Sequence, residues 1–278
     1  MFKVKFENNN AYISDIGDFD LPHTLDCGQA FRWEETDGRW HGAAFGRYLE
    51  LEKLNDGTVV LYGTDENTFN TVWRGYFDLD RDYSEVIAAI SENETLKNAA
   101  EYAHGIRVLN QEPWETLCSF IISQNNNIKR IKGIINRLCE NFGQDMGGWY
   151  TFPSAEKIAG LSLDELGVLR SGFRAKYILD AAKKVSGGEI DLEKLKTIPT
   201  DDARKELMKI TGVGPKVADC VLLFSLGHTD AFPKDVWIKR AMEVLFGGEL
   251  PQSAVPYAGI AQQYIFFYAR DTKLSADQ

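Results

Sequence analysis

The sequence predicts an α+β fold: a small N-terminal antiparallel β-sheet domain followed by a mainly α-helical core. Three observations predict it. Phe2-Lys3-Val4-Lys5-Phe6 alternates apolar and polar residues, the period of a half-buried strand. Asn8-Asn9-Asn10, Asp37-Gly38 and Asp56-Gly57 are turn-forming sequences that punctuate the early chain. From Ser84 onward the apolar residues recur at helical spacing.

Two further early segments, Tyr48-Leu49-Glu50-Leu51 and Val59-Val60-Leu61-Tyr62, complete the expected sheet. Pro113 stands where a helix should begin, with Trp114, Leu117, Phe120 and Ile121 at helical spacing behind it. A polar run, Gln124-Asn125-Asn126-Asn127, interrupts. A second stripe follows through Ile128, Ile131, Ile134, Ile135 and Leu138. Ser162 with Glu165 has the spacing of a capping box. Gly172 and Gly187-Gly188 mark breaks, and Thr200 is a suitable N-cap for a helix reaching about Ile210.

Composition narrows the function classes. Hydrophobic residues make up 44% of the 278 and aromatics 12%, a globular composition. No apolar run approaches the ~20 residues of a membrane span, so no membrane partner is expected. Met1 to Asp15 shows no signal-peptide pattern, and a cytoplasmic protein is expected. Cys27, Cys118, Cys139 and Cys220 are far apart, which argues against a cysteine-held zinc or iron–sulfur site. His23, His41, His104 and His228 are equally scattered, and no metal site is expected from them. The net charge of −10 runs against phosphate binding. Charge is local, however. Arg170, Arg174, Lys176, Lys183 and Lys184 cluster with Asp180 alone between them, and Lys129, Arg130 and Lys132 have no acid beside them. Either run alone also fits a solvated helix face.

The informative stretch begins at Lys209-Ile210-Thr211-Gly212-Val213-Gly214-Pro215-Lys216, between two helical patterns. Gly212 and Gly214 permit a tight turn with unusual φ and bare the backbone for an anion. Pro215 suits the first turn of the next helix, whose N-terminus favours a phosphate. An ordinary helix–loop–helix corner fits the turn equally well. Lys216 tips the balance. The positive end of the helix macrodipole disfavours its charged form, and a neutral amine is a nucleophile. Asp235 follows 19 residues later, an interval that accommodates a helix and a return loop. It is also a good N-cap for the helix it opens.

Gly212-Val213-Gly214-Pro215-Lys216-Val217-Ala218-Asp219-Cys220, followed by Pro233-Lys234-Asp235-Val236, resembles the helix–hairpin–helix, Gly/Pro…Asp signature of a DNA glycosylase superfamily. Within it the chain resembles the 8-oxoguanine DNA glycosylases. Cys27-Gly28-Gln29-Ala30-Phe31-Arg32-Trp33 is similar to that family's N-terminal motif. Ser123 to Ile131 is similar to its Asn-Asn-Asn-Ile segment, Gly172-Phe173-Arg174-Ala175-Lys176-Tyr177 to its Gly-Tyr-Arg-Ala-x-Tyr loop, and Ala258 to Gln262 with Phe266 to its base pocket. The resemblance implies a β domain at 1–95 and a helical glycosylase core at 96–278, with the hairpin at about 203–226.

It also implies roles. Lys216 attacks C1′ and forms a Schiff base, and Asp235 stabilises the developing positive charge. The Gly28 carbonyl accepts the N7–H that 8-oxoguanine has and guanine lacks. Gln262 bonds the base edge, and Phe266 and Cys220 sandwich the base. Asn125 fills the vacated stack or meets the orphan base, and Phe173 wedges the duplex. Arg130 and Arg174 read the orphan cytosine, and Gly212 and Gly214 carry the hairpin's phosphate contact. The expected partner is double-stranded DNA containing a damaged purine, met by a monomer that is nucleoid-associated if bacterial. No cofactor is expected beyond a monovalent or divalent cation at the hairpin when DNA is bound.

The sequence departs from the family pattern at Phe173, where Tyr is common, and at Trp237, where eukaryotic-type enzymes carry His. Two other functions stay open: a monofunctional alkylated-purine (3-methyladenine type) glycosylase, which typically lacks a lysine at the position of Lys216, and a non-catalytic hairpin DNA-binding protein.

Overall fold

The computed structural model describes residues 2–272. Six strands, β1 (Lys3–Glu7), β2 (Asn10–Ser14), β3 (Trp33–Thr36), β4 (Arg39–Ala44), β5 (Arg47–Lys53) and β6 (Val59–Tyr62), form one sheet in the order β1-β2-β6-β5-β4-β3. Three of its connections are two-residue turns with both central residues at positive φ. These are Asn8-Asn9 (51° and 58°), Asp37-Gly38 (53° and 83°) and Phe45-Gly46 (51° and 67°). That backbone twist matches the twist of the flanking strands. It fixes the antiparallel register Glu7 opposite Asn10 and Thr36 opposite Arg39. The β3 and β4 strands had no clear alternation in the sequence. They are held instead by Trp33, 1% exposed, whose ring packs against Gly42; a Cβ at Gly42 would come within 2.3 Å of it.

The chain packs as two compact units. Among the described residues the first comprises 2–29, 51–110 and 228–272. Its core gathers Phe19, Phe69, Trp73, Phe77 and Tyr264. The C-terminal helix Ala258–Asp271 packs on Glu94–Tyr102 and on Val236–Phe246. Buried Gln29 ties the loop after the Leu21–Leu25 helix to residues 107–109. Its Nε2 donates to the Thr24 and Arg107 carbonyls at 2.8 Å, and its Oε1 accepts from the Leu109 N–H. A buried amide with its polar atoms satisfied is a rigid clasp.

The second unit comprises residues 30–50 and 111–227. At its centre is the helix Pro113–Ser123, buried on nearly every face. It packs against Ile128–Phe142, Arg174–Ser186 and Pro215–Ser225. Phe120 and Phe224 stack with ring centroids 5.4 Å apart. Ser162 and Glu165 form the expected reciprocal capping box. Thr200 differs from expectation: Pro199 occupies the cap position and Thr200 the first turn, and the helix ends at Leu207. Among the described residues no helix is long and apolar enough to cross a membrane. All four cysteines are buried and none forms a disulfide.

This core contains a charged pair, Arg32–Glu115, at 3.2 Å with side chains 10% and 13% exposed. Burial pushes the Glu115 carboxyl up to about 7 from an ordinary 4.5, against the pull of Arg32. A raised folded-state value means a stabilising contribution complete below pH 4.5 and lost as pH rises through about 7. Glu115→Gln removes this contribution. Relative to the variant, the wild type is expected to lose on the order of 1–3 kcal/mol between the two limits. Urea unfolding of both proteins at pH 5 and pH 8 checks it; a difference that does not change with pH contradicts it.

Candidate active site

The hairpin comprises Thr200–Leu207, a tight loop, and Pro215–Ser225. Only one of its two glycines uses its conformational freedom. Gly212 has φ +82°, and a Cβ there would strike the Tyr177 ring at 2.4 Å. Gly214 is extended, with φ −98°, and has open space around it. The loop is anchored to the Arg174–Ser186 helix from below. Asp180 Oδ2 accepts from the Thr211 N–H at 2.7 Å, and Lys184 donates to the Lys209 carbonyl at 2.6 Å. Asp180 was the one acid in a basic run, and that isolation was its signal in the sequence.

Pro215 opens the second helix, whose N-terminus has no side-chain cap. Its first-turn amides therefore present a positive end to an anion. Gly212→Ala is expected to cost about 2–3 kcal/mol, from the positive φ and the clash with Tyr177. Gly214→Ala should cost under about 1 kcal/mol and act on DNA affinity instead. Urea melts of the two variants separate the roles; equal destabilisation contradicts them.

Lys216 is half-buried, with Nζ 5.2 Å from the Phe120 ring centroid. Cys220 lies one turn further along the same helix face and is 1% exposed.

The remaining predicted pocket residues lie in the first unit, and the structure brings them together from distant parts of the chain. Gly28, φ +89°, stands so that a Cβ would sit 3.9 Å from Phe266 Cε1. Phe266 is half-buried, unlike its neighbours Tyr264 (1% exposed) and Phe267 (7%), so it is not simple core. Gln262 is buried and donates to the Pro233 carbonyl at 3.1 Å, two residues before Asp235. It also accepts from Gln263 at 2.6 Å, and Cys27 Sγ donates to Gln263 at 3.5 Å. One chain of hydrogen bonds thus links the Gly28 loop, the C-terminal helix and the loop before Asp235. Gln263, which completes it, gave no sign in the sequence. Asp235 caps its helix, Oδ1 accepting from the Ile238 N–H at 2.8 Å. Val236 and Trp237 follow it at 80% and 40% exposure.

The predicted DNA-facing residues belong to the second unit. The three asparagines have separate roles. Asn125 is exposed at φ +47°. Asn126 locks the loop by donating to the Ile122 carbonyl at 3.0 Å. Asn127 caps the Ile128–Phe142 helix. Phe173 projects outward at 48% exposure, edge-on to Tyr177. Arg130 is exposed, its guanidinium 3.5 Å from the Arg170 carbonyl. Arg174, expected with Arg130 to read the orphan cytosine, is held inward. It is 2% exposed and donates to the carbonyls of Gln124, Asn125 (2.9 Å) and Ser171 (3.2 Å), with its guanidinium 4.5 Å from the Phe173 ring centroid. It clasps the Phe173 loop to the asparagine loop.

A strand-rich N-terminal stretch, a glycine hairpin with a lysine at the second helix's start, and a capping aspartate downstream define a helix–hairpin–helix base-excision glycosylase. Comparison with known proteins agrees. Residues 11–117 match the family described as 8-oxoguanine DNA glycosylase, N-terminal domain, and residues 118–253 that described as HhH-GPD superfamily base excision DNA repair protein. The chain is 34% identical to the N-glycosylase/DNA lyase of Saccharomyces cerevisiae, over 79% of this chain and 66% of that one. It is 30% identical to the probable N-glycosylase/DNA lyase of Methanothermobacter thermautotrophicus, over 93% and 96%. The solved structure of Clostridium acetobutylicum 8-oxoguanine glycosylase/lyase, in complex with double-stranded DNA containing cytosine opposite 8-oxoG, superimposes with a TM-score of 0.89 at 36% identity, covering 99% of each chain. The chain spans about two thirds of the yeast relative and nearly all of the archaeal and clostridial ones. The chain belongs to the 8-oxoguanine DNA glycosylase family of the HhH-GPD superfamily.

Proposed function

We propose that the protein excises 8-oxoguanine opposite cytosine from double-stranded DNA and then cleaves the abasic strand. The observation that carries this reading is the meeting of three distant segments: Gly28 lies against Phe266, and Gln262 of the same helix bonds the Pro233 carbonyl just before Asp235.

A base inside the duplex is unreachable and must be flipped out, at about a few kcal/mol. Phe173, exposed and backed by Tyr177, is the wedge for the vacated space. Asn125 stands beside it, and exposed Arg130 is the cytosine reader. Arg174 acts through its clasp, holding Phe173 and Asn125 in register. The hairpin amides at Gly212 and Gly214 grip a phosphate, with a cation there when DNA is bound. In the pocket, the Gly28 carbonyl accepts the lesion's N7–H. Guanine leaves it unpaired, a penalty of about 1–3 kcal/mol. Gln262 holds the base edge, and Phe266 and Cys220 flank its faces.

The Lys216 amine then attacks C1′. The N-glycosidic bond breaks, its electron pair leaves with the base, and the base takes up a proton. The Asp235 carboxylate stabilises the positive charge that builds on the sugar. Ring opening gives an iminium between Lys216 and C1′, and loss of a C2′ proton expels the 3′ phosphate. The protonation steps and the amine suffice, so no cofactor enters. The protein works as a cytoplasmic monomer, at the nucleoid if the source is bacterial.

Single-turnover base release from duplexes carrying 8-oxoguanine opposite C, A, G or T, and from 3-methyladenine duplexes, tests the reading. Fastest release opposite C is expected. Release of 3-methyladenine but not 8-oxoguanine points to an alkylated-purine glycosylase. Equal binding of damaged and intact DNA without release points to a non-catalytic binder.

A further inference from the structure

We propose that Asp20, His23 and His104 form a binding site for a zinc-class divalent cation, beside the loop that carries Gly28. A ligand atom of each of the three lies within 4.8 Å of the others. In the sequence the two histidines stand 81 residues apart; the fold brings their rings to 5.2 Å.

The hydrogen bonds around the rings give the cluster its chemistry. His23 Nδ1 lies 2.8 Å from the His104 carbonyl oxygen. A carbonyl only accepts, so Nδ1 carries the proton and Nε2 the lone pair. His104 Nδ1 lies 3.2 Å from Asp18 Oδ1, and the same logic leaves its Nε2 basic. Metal-binding histidines are oriented in this way, one ring nitrogen donating to a carbonyl or carboxylate while the other takes the ion. Asp20 supplies the third group. Its Oδ1 caps the Leu21–Leu25 helix by accepting from the His23 N–H at 2.8 Å and lies 3.6 Å from His23 Nδ1.

The backbone beneath the cluster is fixed. The Asp20 N–H donates to the Gly105 carbonyl at 2.9 Å, and Thr24 Oγ1 donates to the same carbonyl at 3.2 Å while accepting from the Arg107 N–H at 3.1 Å. His23 packs edge-on to Phe267, centroids 4.7 Å apart. Zinc bonds of about 2.0–2.2 Å bring tetrahedral ligands to roughly 3.5 Å from one another. The 4.8 Å spacing within the cluster is wider than that, and His104, its side chain 57% exposed, has the freedom to swing inward. Two imidazoles and one carboxylate select a borderline ion such as zinc over calcium or magnesium. Three protein ligands leave a fourth position for water. Cys27 and Gly28 follow the ligand-bearing helix directly, so an ion here braces the base-pocket loop.

The test uses the full chain, stripped with chelator and titrated with zinc chloride by calorimetry. Cobalt absorption reports geometry, and thermal melts report stability. One ion per chain is expected, with a tetrahedral cobalt spectrum and a melting midpoint that rises with zinc. His104→Ala, at an exposed position, should melt as the wild type does without zinc and bind far more weakly. Asp18→Ala should lose about 10–100-fold in affinity by releasing the His104 ring. No binding by the wild type, or undiminished binding by His104→Ala and Asp18→Ala, overturns the proposal.

Discussion

Lys216→Gln is expected to leave binding of an 8-oxoguanine duplex nearly unchanged and to cut base release by at least about 10³-fold, the scale on which removing a covalent nucleophile acts. Lys216 sits half-buried at the start of the hairpin's second helix, over the Phe120 ring. It makes no ion pair among the described residues, so glutamine fills its place without orphaning a partner. The melting midpoint should move little. Single-turnover kinetics with the melt check this together. Full activity in a folded variant removes Lys216 from the chemistry.

Asp235→Asn should slow base release by about 10²–10³-fold with little change in stability. Asparagine caps a helix about as well as aspartate, so the bond from the Ile238 N–H survives and only the charge is lost. Asp235→Ala loses both, and should melt with about 1 kcal/mol less stability besides. Comparing the two variants separates the charge from the cap. Equal rates for Asp235→Asn and the wild type would leave the carboxylate as a cap alone.

The α+β order of the chain was legible because strand and helix periods differ, and because the early turns carry Asn-Asn and Asp-Gly. The turn Phe45-Gly46 was not, since a phenylalanine at φ 51° violates the usual turn chemistry. Lys216, Asp235, Gly212 and Gly214 could be singled out because glycines, a proline and a cap residue leave local marks. Long-range partners leave none. Tyr177 beneath Gly212, and Gln263 between Cys27 and Gln262, are ordinary residues whose roles exist only after folding. The burial of Arg174 was hidden for the same reason. A charge beside an exposed aromatic looks like a DNA contact, and only the carbonyls of Gln124 and Asn125 turn it inward. The histidines are scattered in the sequence, and that His23 and His104 lie with their ring centroids 5.2 Å apart is visible only after folding.

The central claim is that Lys216 itself bonds to the damaged sugar. Reduction with borohydride during reaction with an 8-oxoguanine·cytosine duplex converts the iminium to a stable amine. Digestion and mass spectrometry then locate the linked residue. A single adduct on the peptide containing Lys216 is predicted. Base release with no trapped adduct, or an adduct on any other lysine, contradicts it.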